Sequence, residues 1–246
     1  MNRREFLIGC LGIASGHFFD QIHSPENSKI NYPIYWGNRK KPEIALTFDD
    51  GFSTSAIQKT LKALSQYRIK ATFFIIGFLL KPHQKLWQQA LQEGHQICNH
   101  TYNHSYLADL PLTKAKDEIV KWEEAASKIF GKDYLDTMKA NFPFIRFPGG
   151  SGHKSEEVLS LATNLGYQPI AWSSETYSAV LKNHDYKNEP VSPIAAEITN
   201  HLVKTAQNGT IALLHFNQWD TFSLDQTIDG ILQKSLTIKP LSEILS

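Results

Sequence analysis

The chain reads as an α/β protein whose parallel strands close, or nearly close, into one barrel. Three observations predict this. Short apolar, β-rich runs alternate with amphipathic helical segments over residues 42 to 245, and regular strand–helix alternation builds a parallel sheet. Polar residues of the kinds that carry chemistry fall where the apolar runs end, the edge at which such barrels place their sites. At 246 residues, 41% hydrophobic and 20% charged, the chain can bury one full core as a single unit.

The spacing predicts strands over 44–48, 71–76, 96–98, 144–147, 168–172, 211–214 and 236–238. It predicts helices over 56–67, 84–92, 113–130, 156–165, 193–207 and 224–233. The first helix repeats apolar residues at Ile57, Leu61 and Leu64, and the long one follows Pro111, which is at home beside a helix start. No internal repeat, low-complexity tract or long charge run is present, and a net charge of +1 argues against a nucleic-acid partner.

Residues 1–28 read as an export signal and linker, and 29–246 as the catalytic domain. Arg3 and Arg4 precede Phe6-Leu7 and a short apolar run to Ala14, the pattern of a twin-arginine signal. That run is too short to span a membrane. The leader is expected to direct the chain to the periplasm or cell envelope; its plainer reading is a frayed amino terminus of a cytoplasmic protein. Leu7-Ile8-Gly9-Cys10 also has the form of a lipid-anchoring box, although it comes early for one. Removal of the leader near Ala14 leaves Cys98 as the sole cysteine, so no internal disulfide can form.

Leu46-Thr47-Phe48-Asp49-Asp50-Gly51 ends an apolar strand on two adjacent carboxylates and a glycine turn. Strand side chains alternate between faces, but a break in the pleat at the turn lets both acids reach one cleft. Such a pair needs compensating positive charge. His100 and His104 stand four apart, Arg146 closes the run before Phe147-Pro148-Gly149-Gly150, and His215 closes Ile211-Ala212-Leu213-Leu214. Taken singly each has a plainer reading: Asp-Asp-Gly as a turn, the histidine pair as coincidence, the arginine run as a strand exit, and His215 as a hydrogen-bonded core residue.

In order and spacing these four segments resemble four of the five motifs of the polysaccharide deacetylases, the NodB-homology enzymes of carbohydrate esterase family 4. The resemblance covers nearly all of the chain beyond its leader and implies a distorted (β/α)7 barrel. Asp50, His100 and His104 form a two-histidine, one-carboxylate set that suits Zn2+, with other divalent ions such as Co2+ also fitting. An ion there would bring the pKa of its water toward neutrality, making that water the nucleophile. The resemblance implies Asp49 as general base, Arg146 as the partner that keeps it ionised through a contact that could be bidentate, and the Gly149 N–H as an oxyanion donor. It implies His215 as general acid and Leu213 as the lining of the acetyl pocket. The expected reaction is removal of N-acetyl groups from N-acetylglucosamine in peptidoglycan or a related polysaccharide, by a monomer without a stable protein partner.

The fourth motif departs from the family. Relatives carry Trp-x-x-Asp and then Asp-Trp, one aspartate pairing with the acid histidine; this chain reads Trp172-Ser173-Ser174-Glu175-Thr176-Tyr177-Ser178-Ala179. Trp172 and Glu175 are expected at the substrate, and His215 needs Glu175 or a more distant acid as its partner. Cys98 stands where relatives have glycine, as a small buried residue or, less naturally, a ligand. Motif residues do not choose among peptidoglycan, chitin-like chains, poly-N-acetylglucosamine and acetylated xylan. Two other readings remain: a degenerate glycan-binding protein, and a metal-dependent hydrolase of a small non-sugar amide.

Overall fold

The computed structural model describes residues 29–186 and 188–246, so the export signal, the Cys10 box and the cleavage site lie outside the described residues. Among the described residues there are eight strands: β1 (Glu43–Asp50), β2 (Thr72–Ile75), β3 (Gln96–Asn99), β4 (Phe144–Ile145), β5 (Gln168–Pro169), β6 (Ser174–Glu175), β7 (Ile211–His215) and β8 (Thr237–Ile238). Helices α1 (Thr54–Gln66), α2 (Gly77–Leu80), α3 (Gln84–Gln92), α4 (Leu112–Phe130) and α5 (Lys132–Asn141) fall before β4. The others are α6 (Glu156–Asn164), α7 (Val191–Thr205), α8 (Gln218–Phe222), α9 (Leu224–Gln233) and α10 (Leu241–Ile244).

The strands pair in parallel in the order β5-β4-β3-β2-β1-β7-β6, with β8 beside the start of β1. The two outer strands of that order are neighbours in sequence, so residues 170–173 span from one edge of the curled sheet to the other. The expected strand 168–172 is therefore split. Pro169 has no N–H to give a ladder, and the carbonyls of Ile170 and Ala171 accept hydrogen bonds from Arg146. The amino-terminal stretch ties the same gap: Ile34 bridges Ile170, and Trp36 bridges Thr210.

Strand alternation sorts the core into two layers. Ile44, Leu46 and Phe48 face outward into the helices with Phe73, Ile97, Ile145 and Leu214. Ala45 faces inward with Phe74, Cys98, Phe144, Ile170 and Ile211, and α10 adds Leu241 and Ile244 to this inner cluster. Cys98 is thus a buried core residue outside the metal-ligating group, its thiol pKa pushed up by burial. Continuing along the inward face, Thr47 and Asp49 on β1, Arg146 after β4 and His215 on β7 lead to the carboxyl-terminal rim. Helices α2, α5, α8 and α10 were not expected from the sequence. Three of them have four or five residues, too short to show a helical period, and α5 buries only Met138.

Candidate active site at the rim of the barrel

Asp50 ends β1 with φ of 78°, and Thr101 and His104 both have φ of 62°. Left-handed backbone is unfavourable for residues with a Cβ, by roughly 1–2 kcal/mol each, and it bends the two acids and the two histidines toward one another. Asp50 Oδ1 lies 3.5 Å from His100 Nε2 and 3.3 Å from His104 Nε2. The three ligating atoms fall within 4.8 Å of one another. His100 Nδ1 is 2.8 Å from the Arg146 carbonyl; this contact requires an Nδ1–H and leaves the Nε2 lone pair facing the acids.

Asp50 Oδ1 is buried without a hydrogen-bond partner. A buried orphan oxygen is costly, and here it sits between two imidazole nitrogens, which is what a divalent cation requires. Burial works to raise the Asp50 pKa, but the close polar contact of His100, with His215 and His104, holds it below the ordinary value. Burial and the neighbouring His100 keep the His104 pKa below its usual value, favouring the neutral, ligating form.

Asp49 faces the barrel interior. Its Oδ1 accepts a 2.8 Å hydrogen bond from Arg146 Nη1, and its Oδ2 lies 3.6 Å from His100 Nε2. The arginine contact is single rather than bidentate: Nη1 also donates to Thr47 Oγ1, while Nε and Nη2 donate to the Ile170 and Ala171 carbonyls. The Thr47 hydroxyl donates its own hydrogen bond to the Ala212 carbonyl. Arg146 is fully buried, 4.2 Å over the Phe74 ring. Burial pulls its pKa down, and Asp49 opposes that. A buried cation and a buried carboxylate compensate each other at the floor of the cleft.

The loop 100–104 is held from below. Glu118, buried on α4, accepts the Asn103 backbone N–H and side-chain N–H, both at 2.7 Å. Asn99 Oδ1 accepts the Thr101 N–H at 2.8 Å. Glu118 occupies the apolar stripe of α4 with Ala115, Ile119 and Trp122. An acid on that stripe was the sequence signal for it.

His215 lies on the opposite wall, in a cleft of about 520 Å³ whose lining includes Asp50, Phe52, Tyr177 and Trp219. Its partner is Asp220, not Glu175. Asp220 Oδ2 accepts the His215 backbone N–H at 2.8 Å and lies 3.6 Å from Nδ1; its Oδ1 is buried and unpaired. Burial opposes charging His215, but the Asp220 contact and the Asp50 charge lift its pKa to about 9. Glu175 instead accepts the Ser178 N–H and closes a local turn. Asp220 was missed by sequence reasoning; it is also the return half of a helix cap, in which Asn217 Oδ1 accepts the Trp219 and Asp220 N–H groups and Asn217 Nδ2 donates back to Asp220 Oδ2.

Gly149 sits in a one-turn 3-10 segment with φ of 57°, and a Cβ there would stand 3.1 Å from the Tyr106 ring. Near the start of such a turn its N–H is one the turn itself leaves unpaired. Leu213 is buried on β7, in register with Thr47 and Glu175. Trp172 lies beyond Arg146, its ring 5.8 Å from the guanidinium. Phe216 is buried in the outer core, whereas Tyr106 and Tyr177 are exposed.

Residues 37–170 match the family model described as polysaccharide deacetylase. A peptidoglycan-N-acetylglucosamine deacetylase of Bacillus cereus is 33% identical over 202 residues, 82% of this chain and 79% of that protein. The peptidoglycan-N-acetylmuramic acid deacetylase PdaA of Bacillus subtilis is 31% identical over 213 residues, 86% of this chain and 74% of its own. The solved PdaA structure, a family 4 carbohydrate esterase, superposes with a TM-score of 0.71 over 87% of this chain and 84% of its own. BA3943 of Bacillus anthracis, a pseudoenzyme of the same family, shares the fold at 20% identity, with a TM-score of 0.73 over 88% of this chain and 69% of its own.

Proposed function

The chain belongs to the polysaccharide deacetylase family, and on that footing we propose that it is a metal-dependent hydrolase removing N-acetyl groups from N-acetylglucosamine residues of peptidoglycan. The observation that carries this reading is the unpaired Asp50 Oδ1 between His100 Nε2 and His104 Nε2, beside an Asp49 held by Arg146. Two imidazoles and one carboxylate suit Zn2+, with coordination positions left for water and substrate. A divalent ion held by those three residues would act as a Lewis acid on the attacking water and the amide carbonyl.

Asp49 takes the proton of the attacking water, and Arg146 keeps its carboxylate ionised and aimed into the cleft. The Gly149 N–H donates to the oxygen on which negative charge develops. His215, carrying a proton with Asp220 behind it, gives that proton to the departing sugar nitrogen. The carbon–nitrogen bond then breaks to leave acetate and a free amine. Leu213 closes the floor against the acetyl methyl.

A degenerate, glycan-binding reading would call for a broken catalytic set. Here base, acid and ligand candidates all line one rim, and Asp220 offers His215 the carboxylate that the altered fourth motif lacks. Residues 1–28 would carry the enzyme to the envelope, where its polymer is. Among the described residues no helix is long and apolar enough to cross a membrane.

Acetate release tests the proposal. Zinc-loaded protein is expected to release acetate from N-acetylglucosamine oligomers or peptidoglycan, and a chelator to stop it until zinc is restored. Release that ignores the chelator, or none from protein shown to hold zinc, would overturn it.

A further inference from the structure

Outside the catalytic cleft, the chain carries a groove of about 810 Å³ between α2 and α4. Lys81 follows α2, Lys121 and Lys128 project from α4, and Glu124 is the one acid among the lining residues. The chain as a whole carries only +1, so three ammonium groups against one carboxylate make this concavity far more positive than the average surface. None of the three lysines forms an ion pair with a described residue.

The groove is built onto the catalytic loop. Its wall includes Tyr102, which lies between His100 and His104 in sequence. The Gly77 N–H donates to the Thr101 carbonyl and the Phe78 N–H to the Tyr102 carbonyl, which fixes the start of α2 to the loop. A Cβ on Gly77 would come within 2.6 Å of the Tyr102 ring, so the approach depends on glycine. The groove is also joined to the cleft along the surface. Phe78 lines the groove, Phe52 lines the cleft, and their exposed rings lie 6.1 Å apart. Exposed aromatics give flat apolar contact to sugar rings, and lysine supplies a mobile point charge for carboxylates at the end of a long stem.

We propose that this groove binds the carboxylate-bearing stem peptides of a peptidoglycan strand whose glycan crosses Phe52 and Phe78 on its way to the catalytic cleft. The inference rests on the deacetylase reading and deepens it. It makes charge on the polymer, absent from chitin-like chains, a determinant of substrate choice. Exposed charges act weakly one by one and are screened by salt, so the effect belongs to the set of three and is largest at low ionic strength.

The test compares binding of the zinc-loaded full chain to soluble peptidoglycan fragments and to the same fragments with their carboxylates capped as neutral amides. The native chain is expected to prefer the uncapped fragments by about tenfold at low salt. The triple variant Lys81→Gln, Lys121→Gln, Lys128→Gln should lose that preference. A matched variant, Lys59→Gln, Lys62→Gln, Lys204→Gln, should keep it, which separates the groove from overall charge. Equal binding of capped and uncapped fragments, retention of the preference in the first variant, or a preference shown only toward a phosphate-bearing wall polymer would each overturn the proposal. Acetate release by the native chain from N-acetylglucosamine oligomers or unmodified peptidoglycan, run in parallel, keeps the two claims apart. Without it the deacetylase reading falls, while the capped and uncapped fragments still decide the groove.

Discussion

At the floor of the cleft, Arg146 and Asp49 share a contact that water does not reach, and each would be a bare buried charge without the other. Arg146→Met is therefore expected to lower the unfolding free energy by about 3–5 kcal/mol, measured by chemical denaturation, because it strands Asp49. His215 makes a prediction of a different kind. A general acid must hold its proton, so turnover should fall as pH rises through the His215 pKa of about 9; a cation at Asp50 would offset that carboxylate's share of the lift and move the fall lower. Asp220→Asn should shift this alkaline limb toward lower pH and reduce kcat by about 10–100-fold. A pH–rate profile of both proteins that superposed on the alkaline side would count against Asp220 as the partner of His215. The ligand and base candidates were legible because they stand at strand ends within short motifs. Asp220 was not, because its link to His215 depends on the chain turning back through a five-residue helix that has no period to detect.

At the scale of elements, the loop 100–104 combines two left-handed residues with two carboxylate-anchored N–H groups. Glu118 offsets the cost of that backbone from the neighbouring helix. Glu118→Ala should release Asn103, loosen His104 and weaken zinc binding by about 10–100-fold, read by competition with a chromophoric chelator; unchanged affinity would show that the loop holds its shape unaided. The long helices were readable from their apolar spacing, and α3 and α9 have the expected bounds. The stretch after Gln168 was not, since a run with strand composition there is shared between two sheet edges. Which carbonyls go to Arg146 rather than to a ladder is a tertiary fact.

The whole molecule is a curled sheet with a narrow inner cluster, a broad outer one and all its candidate chemistry at one rim. Along β1 that division follows the strand's alternation, Ile44, Leu46 and Phe48 outward and Ala45 inward, while the closing of the gap by residues 34–37 depends on contacts distant in sequence. Outside the site, His95 is buried, accepts the Ala71 N–H at 3.0 Å and stacks on Phe73. Burial lowers its pKa to about 4. The unfolded chain therefore takes up the proton first as pH falls, and the stability present above pH 6.5 is lost progressively on the way down to about 4. By pH 5 the loss amounts to about 2 kcal/mol. In His95→Leu the difference in unfolding free energy between pH 7 and pH 5 should shrink by that amount; an unchanged difference would place the acid sensitivity elsewhere.

In the proposed mechanism two adjacent carboxylates divide the labour, Asp50 holding the cation and Asp49 activating water. Zinc content and acetate release, measured together on Asp49→Asn and Asp50→Asn with folding checked by circular dichroism, test it most directly. Asp49→Asn is expected to keep its zinc and lose turnover by at least about a thousandfold, whereas Asp50→Asn should lose the zinc itself. Zinc lost from Asp49→Asn and retained by Asp50→Asn would contradict it.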